Sequence, residues 1–277
     1  MSLDDVLVGH YGEGGLLASI EAGLRAMGKT PGRLQIDDLA PVDEFHIGGR
    51  QATTLLGQHL AVQPDMALLD VGCGIGGPAR FFASTFGCRV TGVDLTPEFI
   101  DVARALTEWT GLSAQAGFDV GSALDMPFED ASFDRATLLH VGMNIEDKAG
   151  LAREVFRVLR PGGRFGVYDV MRRQTGAIEY PVPWSSLPTT SFVDTPETYR
   201  RALTDAGFEL VEEHDRRDLA EQFVAALLAR AAEGAGPPPF GLHLHMGKEA
   251  PRKIANMAAA VRAGIVGPVE IVAAKPG

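Results

Sequence analysis

The chain predicts an α/β fold, a mainly parallel seven-stranded sheet with helices on both faces. Three observations carry that expectation. After Pro64, short apolar runs alternate with amphipathic stretches at the spacing of βαβ units. A glycine-rich turn at residues 72–77 sits where the first run ends and the next amphipathic stretch begins. The chain has 277 residues, 45% of them hydrophobic, enough for one large core rather than a disordered polymer.

The elements follow in order. Leu16, Leu17, Ile20 and Leu24 recur at helical spacing and predict a helix over 15–27, with a second over 51–60. Strands are predicted at Ala67–Val71, 89–93, 115–120, Phe133–Leu139 and 164–170. Between them lie helices at 78–86, Pro97–Trp109 and 147–159, the first two opening on a proline, which suits a first turn. A helix over 195–206 precedes a strand at 208–213, and the last strand is 269–273. Residues 216–267 read as a mostly helical insertion broken by the Gly/Pro run 234–239. One domain over 1–277 is expected: a helical cap at 1–62, a core at 63–175, and a substrate-side half at 176–277.

Composition narrows the function. With 25 basic and 36 acidic residues the net charge is −11, and the densest basic spots are isolated Arg pairs, which argues against nucleic acid. Two cysteines give no disulfide framework, and the seven histidines make no H-E-x-x-H pattern, so no metal is expected. No apolar run is long enough for a membrane span, and the acidic N-terminus lacks signal-peptide character, so a cytoplasmic protein is expected.

Gly72, Gly74 and Gly77 satisfy G-x-G-x-x-G, and Asp94 closes the second strand close to the spacing at which an acidic side chain reaches ribose hydroxyls. A dinucleotide oxidoreductase is therefore one reading, and a purely structural turn another. Asp70, immediately before the glycines, favours a cationic ligand over a pyrophosphate. Two further elements follow: Pro127-Phe-Glu-Asp-Ala-Ser-Phe-Asp134 leading into a strand, and Leu159-Arg-Pro-Gly-Gly163 leading into the fifth.

The turn, the strand-two acid and these two elements, in this order, resemble the class I S-adenosylmethionine-dependent methyltransferases. The resemblance implies a Rossmann-like sheet with an antiparallel last strand, S-adenosyl-L-methionine as cofactor, and a small-molecule acceptor. By it, Asp70, Gly72, Cys73, Gly74 and Gly76 hold the methionine portion, Asp94 the ribose, and Leu95 the adenine ring. The family often has Gly-Asp-Ala after strand three, where this chain has Gly121-Ser-Ala123, so Ser122 and Ala123 make a weaker adenine contact. His140 and Asn144, after strand four, are the candidate catalytic residues at the floor, and Tyr11 closes the pocket. Substrate contacts are assigned outside the core, to Tyr180, Trp184, His243 and His245, with Phe223, Phe240 and Met246 beside them.

Substrate detail points two ways. The loop Gly142-Met-Asn-Ile-Glu-Asp-Lys148 is similar to ubiquinone/menaquinone C-methyltransferases, while the insertion ending in Asn256-Met257 is similar to sarcosine/dimethylglycine N-methyltransferases. A non-catalytic cofactor-binding module stays open, as does monomer against homodimer.

Overall fold

The computed structural model describes residues 15–232 and 240–277. Tyr11 lies outside them. Seven strands form one sheet in the order β3-β2-β1-β4-β5-β7-β6. They are β1 (Ala67–Val71), β2 (Arg89–Asp94), β3 (Ala116–Val120), β4 (Phe133–Leu139), β5 (Leu159–Arg172), β6 (Glu209–Asp215) and β7 (Val266–Ala274). Pairings among β1 to β5 are parallel, and β7 runs antiparallel to both β5 and β6.

The helices are α1 (Leu16–Ala26), α2 (Ile36–Asp43), α3 (Gly49–His59), α4 (Gly77–Phe86), α5 (Pro97–Trp109), α6 (Lys148–Val158), α7 (Pro196–Asp205), α8 (Arg217–Ala232), α9 (His243–Met246) and α10 (Ala250–Arg262). None among the described residues is long and apolar enough to cross a membrane.

Strand alternation sorts the core into two layers. Leu69 and Val71 point to one face, where Leu151, Val155 and Val158 of α6 and Leu203 of α7 cover them. Leu68 points to the other face, against Leu56 of α3, Phe82 of α4 and Ile100 of α5. Each fully buried leucine contributes about 1.5–3 kcal/mol of transfer free energy. A third cluster joins the insertion to the sheet end: Val224 of α8 and Met257 and Val261 of α10 pack on Ile47, Met143, Val170 and Trp184.

Three features differ from the sequence expectation. Helix α2 was not foreseen; it carries Pro41 inside and is capped by Gln35 and Asp38 rather than by Ser or Thr. Strand β5 begins at Leu159, so the Pro161-Gly-Gly163 turn lies inside it as a bulge, between the pairs Phe133–Leu159 and Arg135–Arg164. Strand β7 starts three residues before 269, because Val266 and Gly267 keep pairing with the lengthened β5.

Candidate functional site

Strand order reverses between β1 and β4, and the crevice at such a reversal, beyond the carboxyl ends of the strands, is where open α/β sheets bind ligands. A cavity of about 330 Å³ lies there, within the ordinary range for small-molecule sites.

The glycine turn forms its base. Gly72, Gly74 and Gly76 all have positive φ, at 71°, 52° and 79°. A Cβ on Gly72 would come within 2.4 Å of the Val141 side chain, whereas one on Gly74 would meet nothing within 4 Å. Thus Gly72 lets the turn press against the loop after β4, and Gly74 leaves open space for a ligand. The amides of Gly72 and Cys73 donate to the Val93 carbonyl, tying the turn to the end of β2.

Two carboxylates flank the turn. Asp94 Oδ2 accepts from Gly74 N at 2.9 Å and Oδ1 from Thr96 N at 2.9 Å, so its carboxylate is fixed in orientation. Burial raises its pKa. Asp70 is 1% exposed; its Oδ1 accepts from Thr137 Oγ1 at 2.9 Å, and its Oδ2 has no partner. Burial pushes its pKa up to about 7. A buried, unpaired carboxylate oxygen is costly, and a cation placed against it would relieve that cost.

The floor is built by the loop after β4. His140 adopts φ 56°. Its Nδ1 donates to the Tyr168 carbonyl at 3.2 Å and its Nε2 accepts from Ile47 N at 3.3 Å. Burial holds its pKa down at about 3, so it is neutral. Both ring nitrogens are engaged with backbone, so His140, a candidate catalytic residue by its place after strand four, has no lone pair free for removing a proton. Asn144 donates from Nδ2 to the Trp184 carbonyl at 2.7 Å and lines the cavity.

The wall opposite comes from α2 and the loop that follows. Asp43, Phe45 and His46 line it together with Pro78, Thr96 and Phe99. Arg80, fully buried, donates to Asp43 Oδ1 at 2.6 Å, to Thr107 Oγ1 at 3.2 Å and to the Ala103 carbonyl at 3.3 Å. Burial still raises the Asp43 pKa to about 6, the guanidinium pulling against it. Gly77 belongs to this joint: a Cβ there would lie 2.2 Å from the Asp43 carbonyl oxygen.

Of the residues singled out from sequence, Asp70, Gly72, Cys73, Gly74, Asp94, Leu95, Ser122, Ala123, His140, Asn144 and His245 surround this one cavity. Gly76 caps α4 behind the turn. Trp184 is 2% exposed, its Nε1 donating to Ser191 Oγ; with Tyr180 and Phe223 it packs in the apolar cluster under α8 and α10, away from the lining. His243 also lies off the lining, and Phe240 sits in the cluster with α1 and α5. His245 reaches the cavity because α9 folds back onto the N-terminal helices: its Nε2 donates to the Val42 carbonyl at 2.9 Å and its ring stacks on Phe45 at 4.8 Å. Its Nδ1 then carries a buried lone pair without a partner, and burial lowers its pKa to about 4. Asp43, Phe45, His46, Thr96 and Phe99 were missed as lining; the nearest sequence signal was the Gly48–Gly49 loop beside Phe45 and His46.

A family profile described as a methyltransferase domain matches residues 69–167, which are β1 through most of β5. Over 188 residues the chain is 32% identical to Methyltransferase GfsG of Streptomyces halstedii, covering 67% of this chain and 66% of that one. The chain belongs to the class I S-adenosylmethionine-dependent methyltransferases. A second member, chloroplastic tocopherol O-methyltransferase of Arabidopsis thaliana, is 35% identical over 153 residues, 55% of this chain and 44% of that one. This methyltransferase chain thus spans about two thirds or less of these curated relatives. The crystal structure of the [4+2]-cyclase SpnF superposes with a TM-score of 0.64 at 27% identity, over 82% of this chain and 80% of that chain.

Membership in that family sets aside the dinucleotide reading and makes S-adenosylmethionine the cofactor. The site fits it. The unpartnered Asp70 oxygen suits a cationic ligand, the open side of Gly74 gives room for close approach, and the fixed Asp94 carboxylate suits a diol.

Proposed function

We propose that this protein transfers a methyl group to a small, uncharged or cationic acceptor with a largely apolar body. The observation that carries the reading is the lining of the cavity. Asp70, Asp94 and Glu146 lie on it, with Asp43 and Asp147, whose carboxyls are paired with Arg80 and Arg153; Phe45, Ile75, Phe99, Leu124, Val141 and Ile145 are its apolar residues, and no Lys or Arg lines it among the described residues. A phosphorylated acceptor would meet a like-charged wall, whereas a sulfonium cation is attracted by it.

Bound there, S-adenosylmethionine supplies an electrophilic methyl group. The chain's own residues do the holding. Asp94, already oriented by Gly74 and Thr96, accepts the ribose hydroxyls; Asp70 faces the cationic methionine portion; Gly72, Cys73 and Gly74 supply backbone; and Leu95, Ser122 and Ala123 flank adenine. His140 and Asn144 fix the floor through Tyr168, Ile47 and Trp184 rather than moving a proton. His245 Nδ1 accepts from a donor on the ligand. Tyr180, Trp184 and His243 support the substrate side from outside the lining. Alignment of acceptor and methyl supplies much of the rate, since effective molarities for well-oriented groups reach ~10⁵–10⁸ M. The same reading keeps 1–277 as one domain, monomeric or homodimeric, in the cytoplasm, where the two buried free cysteines would stay reduced.

The test is methyl transfer from labelled S-adenosylmethionine to paired acceptors, each phenol or amine offered with and without a phosphate. Labelling of the neutral member and not of its phosphate ester is expected; preference for the ester would overturn the acceptor class. A second reading, a cofactor-binding protein that does not transfer methyl, is favoured by the 27% identity to a cyclase and by the engaged nitrogens of His140. Tight cofactor binding with no label leaving it across the panel would select that reading.

A further inference from the structure

The structure assigns a second ligand site, remote from the cavity. We propose that His59, Glu212 and His214 form a binding site for one transition-metal dication of the zinc type, stapling the end of helix α3 to the edge strand β6. It stands independently of the methyltransferase reading.

The sequence keeps these residues far apart, and the fold joins them. His59 is the last residue of α3, and Glu212 and His214 lie two apart on β6. One ligand atom from each, a ring nitrogen or a carboxylate oxygen, lies within 4.8 Å of the other two. The two imidazole rings stack with centroids 4.6 Å apart, and His214 Nε2 meets Glu212 Oε2 at 2.8 Å. Helix α3 is about 16 Å long at 1.5 Å per residue, so the cluster sits a helix length away from Gly49 and the cavity wall that precedes it.

Three features prepare the site. His59 Nδ1 lies 2.5 Å from Oε1 of Glu270, which is fully buried. That carboxylate accepts the proton on Nδ1, which also lies 3.3 Å from Arg216 Nη2, and leaves Nε2 as a donor atom for a metal, the arrangement in which an outer carboxylate orients a ligating histidine. Glu270 is itself held by Arg216 through Nε at 2.9 Å and Nη2 at 2.7 Å, so its charge is neutralised locally. Glu212 has no such guanidinium partner among the ion pairs of the described residues, and the carbonyl end of α3 also favours a cation.

Two imidazoles and one carboxylate suit zinc, nickel or copper rather than magnesium or calcium, which prefer all-oxygen shells. Ligation at the usual metal–ligand distance of ~2.0–2.2 Å requires the three groups to close inward. His214 and Glu212 are each about one third exposed, at 34% and 32% of their side chains, so His214 can turn out of the stack to do so. Water completes the coordination.

Calorimetric titration of the full chain with ZnCl₂, and separately with MgCl₂, tests the proposal. One saturable zinc equivalent per chain and no magnesium binding are expected. His214→Gln and Glu212→Gln, both partly exposed, should each weaken zinc at least tenfold without lowering the metal-free melting temperature. Zinc should raise the melting temperature of the wild type but not of His214→Gln. Absence of saturable zinc binding, or unchanged binding in His214→Gln, for instance because His243 holds the ion, would overturn it.

Discussion

Replacing Asp70 by Asn removes the charge beneath the glycine turn while keeping its shape and its contact with Thr137. The carboxyl pKa of about 7 makes the effect readable as a pH profile. About one tenth of a group with that pKa is ionised at pH 6 and about nine tenths at pH 8. If the ionised form is the one that faces the cofactor, wild-type affinity for S-adenosylmethionine should rise roughly tenfold across that range. The Asn variant should lack this component; the ligand's own titration is common to both proteins and cancels in their ratio. At pH 8 the variant should bind roughly 10–100-fold more weakly, since a hydrogen bond to a charged group is worth about 1.5–3 kcal/mol.

Stability gives an independent check. The folded pKa lies above the unfolded value of 3.8, so the folded state binds more protons between about pH 4 and 7, and stability falls as pH rises through that window. Raising the pKa from 3.8 to about 7 corresponds to roughly 4 kcal/mol of penalty on the ionised form, an upper bound on what Asn could recover above pH 7. The variant should therefore melt no lower than the wild type at pH 8, which separates lost affinity from lost fold. Calorimetric titrations at pH 6, 7 and 8 make the measurement. A pH profile that persists in the variant, or equal affinity at pH 8, would refute the assignment.

Other expected outcomes follow from the same geometry. Asp94→Ala should weaken cofactor binding by about 1–3 kcal/mol in calorimetry, through loss of oriented acceptors. Gly72→Ala should both destabilise the chain and abolish cofactor binding, because its Cβ would meet Val141 at 2.4 Å on a backbone with φ 71°; a thermal melt with equilibrium dialysis reads both. Arg80→Met should cost about 3–5 kcal/mol in denaturant unfolding near pH 8, where the wild-type Asp43 is ionised against the guanidinium and the variant must bury that charge unpaired or take up a proton, and clearly less near pH 5, because losing Arg80 moves the Asp43 pKa up from about 6 and the carboxyl is then protonated. His245→Phe should keep the stack on Phe45 and the melting temperature within a few degrees, while lowering ligand affinity through loss of the Nδ1 acceptor.

The core of the fold was legible because it is written in local pattern. Short apolar runs in Ala67–Val71 and Phe133–Leu139, prolines opening α4 and α5, and glycines with positive φ in the turn after β1 all act within a few residues. Helix α2 was not legible because it is short, carries Pro41 inside, and is held partly by contacts distant in sequence, such as Arg80 to Asp43, 37 residues apart. The packing of Trp184 under α8 and α10, off the cavity lining, was not legible because an aromatic in a proline-rich loop carries no sign of which side it faces. His245 and His243 are chemically alike and two residues apart, and only the docking of α9 under Val42 separates the lining residue from its neighbour. Neither His59 nor His214 has a local motif; the packing of α3 on the sheet sets His59 against Glu270, and the β6–β7 pairing sets His214 opposite that same residue.

The guanidinium of Arg80 joins helices α2, α4 and α5 through one buried side chain. Asp43, Phe45 and Phe99, on one wall of the cavity, are thereby parts of a single rigid frame. The entropy of ordering that wall is spent when the chain folds rather than when a ligand arrives, so more of each contact appears as affinity. A frame that cannot spread also measures its guest. The His245 ring sits between Phe45 and Phe99, 4.8 Å from one centroid and 6.1 Å from the other, so an acceptor too wide for the frame has to displace His245 and the α9 turn.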